Sequence, residues 1–255
     1  MNMEKNYRFS QQENQYGGDC LPCTHEVFNK YVDAPNVARK ITTRRMVDKA
    51  IAEGQLLDVF AEDNNFKRFC AMKMKKETGF EGLTLQQQRT QWTNALKSSL
   101  PCFIFGTKDF GLVAKEDNKG NPVLDQNGQQ VYYHRRKLEN IEVLSGLFMF
   151  DADHLTCDPF ELYERTLASG FPWEVRLAHK TSSGHGLRLV CEARPGLGNL
   201  ADNQICLARE LGLMGMKGST GKAVVDDSCI DATRVSYAPM REDIYFIDEE
   251  HLFNI

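Results

Sequence analysis

The sequence predicts an α+β fold, in which a βαββαβ unit at about 146–240 follows an N-terminal subdomain of helices and a β-hairpin. Three observations carry that prediction. Apolar residues recur at helical spacing between Val37 and Ser99. Short apolar runs bounded by turn residues follow from Cys102 onwards. After Gly146 the order of elements is strand, helix, strand, strand, helix, strand. The 255 residues are 42% apolar and 26% charged, an ordinary globular composition for one large domain or two lobes of one. Wholesale disorder, collagen-like and coiled-coil classes are excluded.

Residues 1–24 are polar with Gly17-Gly18 and read as a flexible tail. Residues 25–140 form the N-terminal subdomain and 141–255 the second lobe. Ile41, Met46, Val47, Ala50 and Ile51 mark one helix before Gly54. Phe66, Phe69, Cys70, Met72 and Met74 mark a second, and Leu85 to Ser98 a third, stopped by Pro101. Cys102 to Phe105 reads as a strand. Residues 110–136 read as a hairpin or meander, with turns at Lys119-Gly120 and Asn127-Gly128.

In the second lobe, Gly146-Leu-Phe-Met-Phe-Asp151 is a buried strand. Asp158-Pro159-Phe-Glu161 supplies a helix cap, a Pro at the first helical position and an acidic first turn. Trp173 to His179 and Leu187 to Glu192 read as strands, and Asn199 to Leu213 as a helix. The fourth strand falls near Arg234 to Tyr237, with Ile244 to Ile247 as a further candidate. In the usual 4-1-3-2 ferredoxin-like order, three segments converge: Asp151-Ala-Asp153, Gly186-Leu-Arg188 and the acidic run Asp226 to Asp231.

Charge divides unevenly. Residues 1–140 carry 21 Lys and Arg against 17 Asp and Glu; residues 141–255 carry 10 against 18. An acidic half suits divalent cations and a basic half a polyanion, although solvated faces are the better explanation of each basic run alone, around Arg44-Arg45 and Lys73–Lys76. Eight cysteines are too few for a disulfide scaffold, and Cys20-Leu-Pro-Cys23 has no second ligand pair at zinc spacing, so ordinary thiols are expected. The polar N-terminus and the lack of any apolar run near ~20 residues point to a cytoplasmic protein without membrane partners.

The chemistry lies in the three convergent segments. Residues i and i+2 of a strand face one side, so Asp151 and Asp153 aim at one spot that a hard cation such as Mg²⁺ relieves of its repulsion. Lys180-Thr-Ser-Ser-Gly-His-Gly-Leu-Arg188 is a turn whose backbone can approach an anion, flanked by an arginine. A third carboxylate, from Asp226, Asp227 or Asp231, completes a set suited to two-metal phosphoryl or nucleotidyl transfer. Gly215 to Ala223 is no P-loop ATP site: the required Gly and Ser/Thr positions hold Met216 and Ala223.

These pieces resemble the archaeo-eukaryotic primase (primase-polymerase) superfamily, and within it the VirE N-terminal-like domain of mobile-element replication proteins. The resemblance runs from about Ala95 to Pro239. It rests on Lys97-Ser-Ser-Leu100-Pro101, on Ser145-Gly-Leu-Phe-Met-Phe-Asp151-Ala-Asp153-His154-Leu155, on Ser182-Ser-Gly184-His-Gly186-Leu-Arg188, and on Asp226-x4-Asp231-x2-Arg234. It implies a ferredoxin/RRM-like palm and a DNA primase or polymerase-type nucleotidyltransferase in mobile-element or plasmid DNA replication. It implies two Mg²⁺ or Mn²⁺ ions on Asp151, Asp153 and Asp226, with Asp227 the rival. The nucleotide triphosphate (dNTP or NTP) is expected on Lys180, Ser182, Ser183, Gly184, His185, Arg188 and Arg234. Arg188 stands where the superfamily usually has His, as in the VirE-like branch. A single-stranded DNA template is expected along Arg135, Arg136 and Lys137, with unwinding left to a separate helicase. The alternative is a catalytically inactive nucleic-acid-binding module on the same fold. A nucleotidyl cyclase is disfavoured because its GG-D/E-EF hairpin is absent.

Overall fold

The computed structural model describes residues 7–55, 62–226 and 230–253. In chain order these form β1 (Ser10–Gln12), β2 (Leu21–Pro22), α1 (His25–Val32), α2 (Pro35–Ala52), α3 (Asn64–Lys76) and α4 (Leu85–Ser98). Next come β3 (Cys102–Ile104), β4 (Thr107–Phe110), β5 (Leu112–Ala114), β6 (Tyr132–His134), β7 (Ile141–Leu144) and β8 (Leu147–Ala152). They continue with α5 (Pro159–Glu164), β9 (Val175–Lys180), β10 (Leu187–Glu192), α6 (Leu200–Glu210), β11 (Ser236–Tyr237), β12 (Ile244–Ile247) and α7 (Glu249–Phe253). The chain is a mixed α+β protein with antiparallel sheets. Among the described residues no helix is long and apolar enough to cross a membrane.

The main sheet has the order β12-β9-β10-β8, every pair antiparallel. Phe148, Phe150 and Ala152 of β8 face one side, packing with Leu189 and Cys191 of β10 beneath Leu162 of α5 and Leu207 of α6. Leu147 and Met149 face the other side, with Val190, Leu177, Phe9, Phe103 and Phe105. Burial on both faces explains why β8 is apolar at consecutive positions rather than alternately. The helix signals act as their chemistry requires: the Asp158 carboxylate accepts from the Phe160 N–H, and Asn199 and Asp202 close a capping box on α6.

The second sheet, β11-β3-β1-β2, corrects three expectations. From Tyr7 on, the N-terminal stretch is no flexible tail: Phe9 is fully buried, with its ring 4.7 Å from that of Phe105. Arg8 forks onto Glu192 of β10 at 2.6 and 2.9 Å. Nor does the chain divide into lobes at 140/141, because Gln11, Phe103 and Ser236 stand side by side in one sheet. Finally, β11 is not the fourth strand of the main sheet. Val235 packs with Cys102, Ile104 and Phe110, which draws β11 to the edge of β3.

The free edge of β8 is met instead by a short bridge, Ala152 opposite Val225, with Asp153 N–H to Val224 O (2.8 Å) and Asp226 N–H to Asp151 O (3.1 Å). The glycine-rich segment before it folds against His154. A Cβ on Gly218 would lie 2.0 Å from the His154 carbonyl oxygen, so only glycine fits there. β12 takes the far edge, beside β9.

The three predicted N-terminal helices are present as α2, α3 and α4, and α1 precedes them. Val47, Phe66, Phe69, Phe80 and Trp92 form their shared core. The 110–136 stretch is the expected meander: β5 and β6 pair, and Asp117 and Asp125 cap its two turns. Since Phe9 is central to the core between the two sheets, Phe9→Ala is expected to lower unfolding free energy by about 3–5 kcal/mol. Urea denaturation measures it; a loss below about 1 kcal/mol would mean the N-terminal strand is dispensable.

Candidate active site

Asp151 is the last residue but one of β8, and Asp153 follows two residues on, facing the same side. The edge bridge brings in Asp226. Ligand oxygens of the three carboxylates lie within 4.8 Å of one another, with Asp151 buried and the other two partly exposed. His154, in a left-handed backbone conformation (φ 59°), turns the chain away directly after Asp153. Gln204 of α6 donates to the Asp226 carbonyl at 2.7 Å and so fixes that segment.

Two arginines serve this cluster. Arg188 lies opposite Asp151 in the β10–β8 register, and its Nη2 donates to Asp151 Oδ2. Its Nη1 donates to Ser236 Oγ at 3.1 Å, and that hydroxyl meets His179 Nε2 at 3.4 Å. Arg234 Nη2 donates to Asp226 Oδ2 at 3.2 Å. Burial raises the Asp151 pKa above its ordinary value; Arg188 opposes this, and Asp153 and Asp226 reinforce it. Burial and the Arg188 charge push His179 down to about 3, so it is neutral at physiological pH. The raised value follows from burial first and from the neighbouring carboxylates after it. Three carboxylates are also the hard oxygen donors that Mg²⁺ and Mn²⁺ take, so the residues fit a divalent ion.

The cluster opens into a cleft of about 400 Å³, whose walls include Lys97, Arg188, Asp231, Arg234 and Tyr237. An adjoining recess of about 260 Å³ shares Lys97, Asp153, Arg188 and Tyr237 and adds Arg44, Ser182, Ser183 and His185. Lys97 Nζ sits 5.0 Å from the Tyr237 ring centroid. Burial, then Arg44 and Arg188, pull the Lys97 pKa down, and Asp153 and Asp151 pull it back up. Arg44 Nη1 donates to Ser182 Oγ at 2.5 Å, and Arg45 holds the Thr181 carbonyl (2.8 Å) and the buried Asp243. Helix α2 therefore braces the 181–186 turn from outside.

Gly186 lies at the closest approach of that turn to the cluster. A Cβ there would stand 2.5 Å from Asp153 Oδ1 and 2.7 Å from the Ala152 carbonyl oxygen. Gly186→Ala is expected to displace the Asp153 carboxylate and weaken Mn²⁺ binding by about tenfold or more, as read by an electron paramagnetic resonance titration. Unchanged Mn²⁺ affinity would separate Asp153 from ion binding.

Of the residues singled out in the sequence, Asp151, Asp153, Asp226, Arg188, Ser182, Ser183, His185 and Arg234 converge on this cleft and its recess. Lys180 and Gly184 do not. They line a hollow on the other side of the turn, and Lys180 Nζ lies 6.0 Å from the Tyr245 ring. Asp231 lines the cleft; Asp227 lies outside the described residues. Arg136 reaches the cleft and, with Arg135, lines a neighbouring groove, whereas Lys137 pairs with Glu139 at 3.0 Å. Cys20 and Cys23 are buried free thiols, and burial pushes Cys20 up to about 12.

Arg44, Lys97 and Tyr237 are among the lining residues that carried no assigned role in the sequence. Lys97 had a signal, its place in the K-x-x-L-P segment. Arg44 was one cation in a basic run, and only the packing of α2 shows which of that run faces the site.

No protein-family model, curated protein or solved structure matches the chain.

Proposed function

We propose that the protein is a metal-dependent nucleotidyltransferase of the primase-polymerase kind, adding dNTPs or NTPs to a strand on a single-stranded DNA template in mobile-element or plasmid replication. The observation that carries this reading is the carboxylate cluster of Asp151, Asp153 and Asp226 at the mouth of a recess walled by cations and hydroxyls. Acid beside base at this distance suits a substrate that brings both a metal ion and a polyphosphate. The 1-3-2 arrangement of β8, β10 and β9, with α5 and α6 on one face, is compatible with a ferredoxin/RRM-like palm whose fourth strand is reduced to the Val224–Asp226 bridge.

In this reading the three carboxylates hold Mg²⁺ or Mn²⁺, which when bound neutralises phosphate charge and makes a sugar hydroxyl a better nucleophile. Arg188, Lys97 and Arg44 take the triphosphate oxygens, and Ser182, Ser183 and His185 orient them. Arg188 stays charged at any working pH, so it binds and positions but moves no proton. Arg234 positions Asp226.

One observation favours a second reading, a nucleic-acid-binding module without turnover: Arg188 already neutralises Asp151. Incorporation of labelled dNTPs and NTPs on primed and unprimed single-stranded templates, with Mg²⁺ and with Mn²⁺, decides between them. Metal-dependent incorporation supports the transferase. Template binding that is indifferent to metal, with no incorporation, supports the module.

A further inference from the structure

Beside the carboxylate cleft lies a larger hollow of about 670 Å³. One wall is the loop between β1 and β2, the other the hairpin of β5 and β6. The loop is held at three points. Gln15 N–H donates to the Ser98 carbonyl at the end of α4 (3.2 Å), Cys20 N–H to the His134 carbonyl (3.0 Å), and Asp19 accepts from the His134 backbone N–H. The hollow is therefore a built feature with fixed walls.

Its lining combines aromatic rings and cations. Tyr16 is 81% exposed and Tyr132 58% exposed, and Tyr133 lies beside them. Neither exposed ring is explained by the core. Lys115, Arg135 and Arg136 supply positive charge. The Asp19 carboxylate is engaged by His134, whose Nδ1 is 2.8 Å away, and Glu116 stands exposed. The hollow adjoins the cleft, and Gln15 and Arg136 line both. Arg136 Nη2 donates to the Gln15 carbonyl at 3.1 Å, and the Tyr237 hydroxyl donates to Gln15 Oε1. Tyr237 in turn faces Lys97. A polyanion leaving the carboxylate site would meet these groups in order.

We propose that this hollow is the cradle of a single-stranded nucleic acid. Its bases stack on Tyr16 and Tyr132, its phosphates lie on Lys115, Arg135 and Arg136, and it passes Gln15 into the carboxylate cleft. Exposed rings favour a single strand, because an unpaired base offers a π-face that a duplex keeps stacked. The inference rests on the nucleotidyltransferase reading for the direction of the strand, and its test is separable from that reading.

The test is fluorescence anisotropy of a short labelled oligothymidylate with the full chain, over a range of salt, and titration of Mn²⁺ with a dNTP on the same proteins. Tyr16→Ala/Tyr132→Ala is expected to weaken oligothymidylate binding about tenfold or more, with Tyr16→Phe/Tyr132→Phe restoring it. Arg135→Ala is expected to reduce the salt slope by about 0.7. Mn²⁺ and dNTP binding should be unchanged in all of these. Wild-type affinity in the double alanine variant overturns the cradle and leaves the transferase reading standing. Equal competition by duplex DNA overturns the preference for a single strand. No oligothymidylate binding by the wild type overturns the cradle too; the transferase reading then rests on whether Mn²⁺ and dNTP bind together.

Discussion

Asp153→Asn is expected to lower metal-dependent nucleotide incorporation on the order of a thousandfold, about 4 kcal/mol of transition-state stabilisation, while the protein stays folded. Asn keeps the shape of the side chain and removes its charge. The backbone at this position is held by the Asp153 N–H to Val224 bond, which the substitution leaves in place. Asp153 is partly exposed, and among the described residues no arginine ion pair engages it as one does each of its two neighbours. Asp151 is the poorer choice because its loss also breaks the buried ion pair with Arg188. Steady-state incorporation with Mg²⁺ and with Mn²⁺, beside a thermal melt, reads the effect. Incorporation within a few fold of wild type would remove Asp153 from the machinery and with it the cluster as the catalytic site.

The second large effect is on stability. Arg188→Ala is expected to cost about 3–5 kcal/mol in metal-free buffer, because it leaves Asp151 buried without its guanidinium and beside two further carboxylates. Added Mg²⁺ should return part of that loss, since an ion bound only by the folded state stabilises it by mass action. Arg188→Ala/Asp151→Asn should lie closer to wild type than the single arginine variant. Urea denaturation with EDTA and with Mg²⁺ measures all three. A single variant as stable as wild type, or one blind to Mg²⁺, would mean that the ion pair and the cation site are not coupled.

Sequence and structure agree where burial leaves a periodic or local trace. β8 announces itself as an apolar run, α4 by apolar residues at helical spacing with a proline stop, and α5 by cap chemistry that needs only neighbours in the chain. The N-terminal strand leaves no such trace. Ser10, Gln11 and Gln12 are all buried although polar, because each finds a partner: Ser10 Oγ donates to the Lys108 carbonyl (2.6 Å), Gln11 accepts from Tyr31, and Gln12 donates to the Gly18 carbonyl. Hydropathy cannot register burial that hydrogen bonds make tolerable. β11 is two residues long, too short for any period, and its partner is decided by where Val235 finds apolar cover. The carboxylate pair Asp151 and Asp153 was legible from strand alternation. The third carboxylate was legible from the strand order only as one of Asp226, Asp227 and Asp231, because a bridge between two backbones, and not strand alternation, brings Asp226 beside the pair.

The side-by-side placement of Gln11, Phe103 and Ser236 also sets a timetable for synthesis. At translation speeds of 5–20 residues per second, roughly ten to forty-five seconds separate the emergence of the first of these from that of the last. During that interval β1 can pair only with its near neighbour β2, and then with β3. Contacts between residues far apart in sequence must form before the second sheet is complete, so folding should be slow. Any chain that stops short of Tyr237 lacks β11, and with it the Ser236 hydroxyl on which Arg188 rests and the tyrosine that faces Lys97.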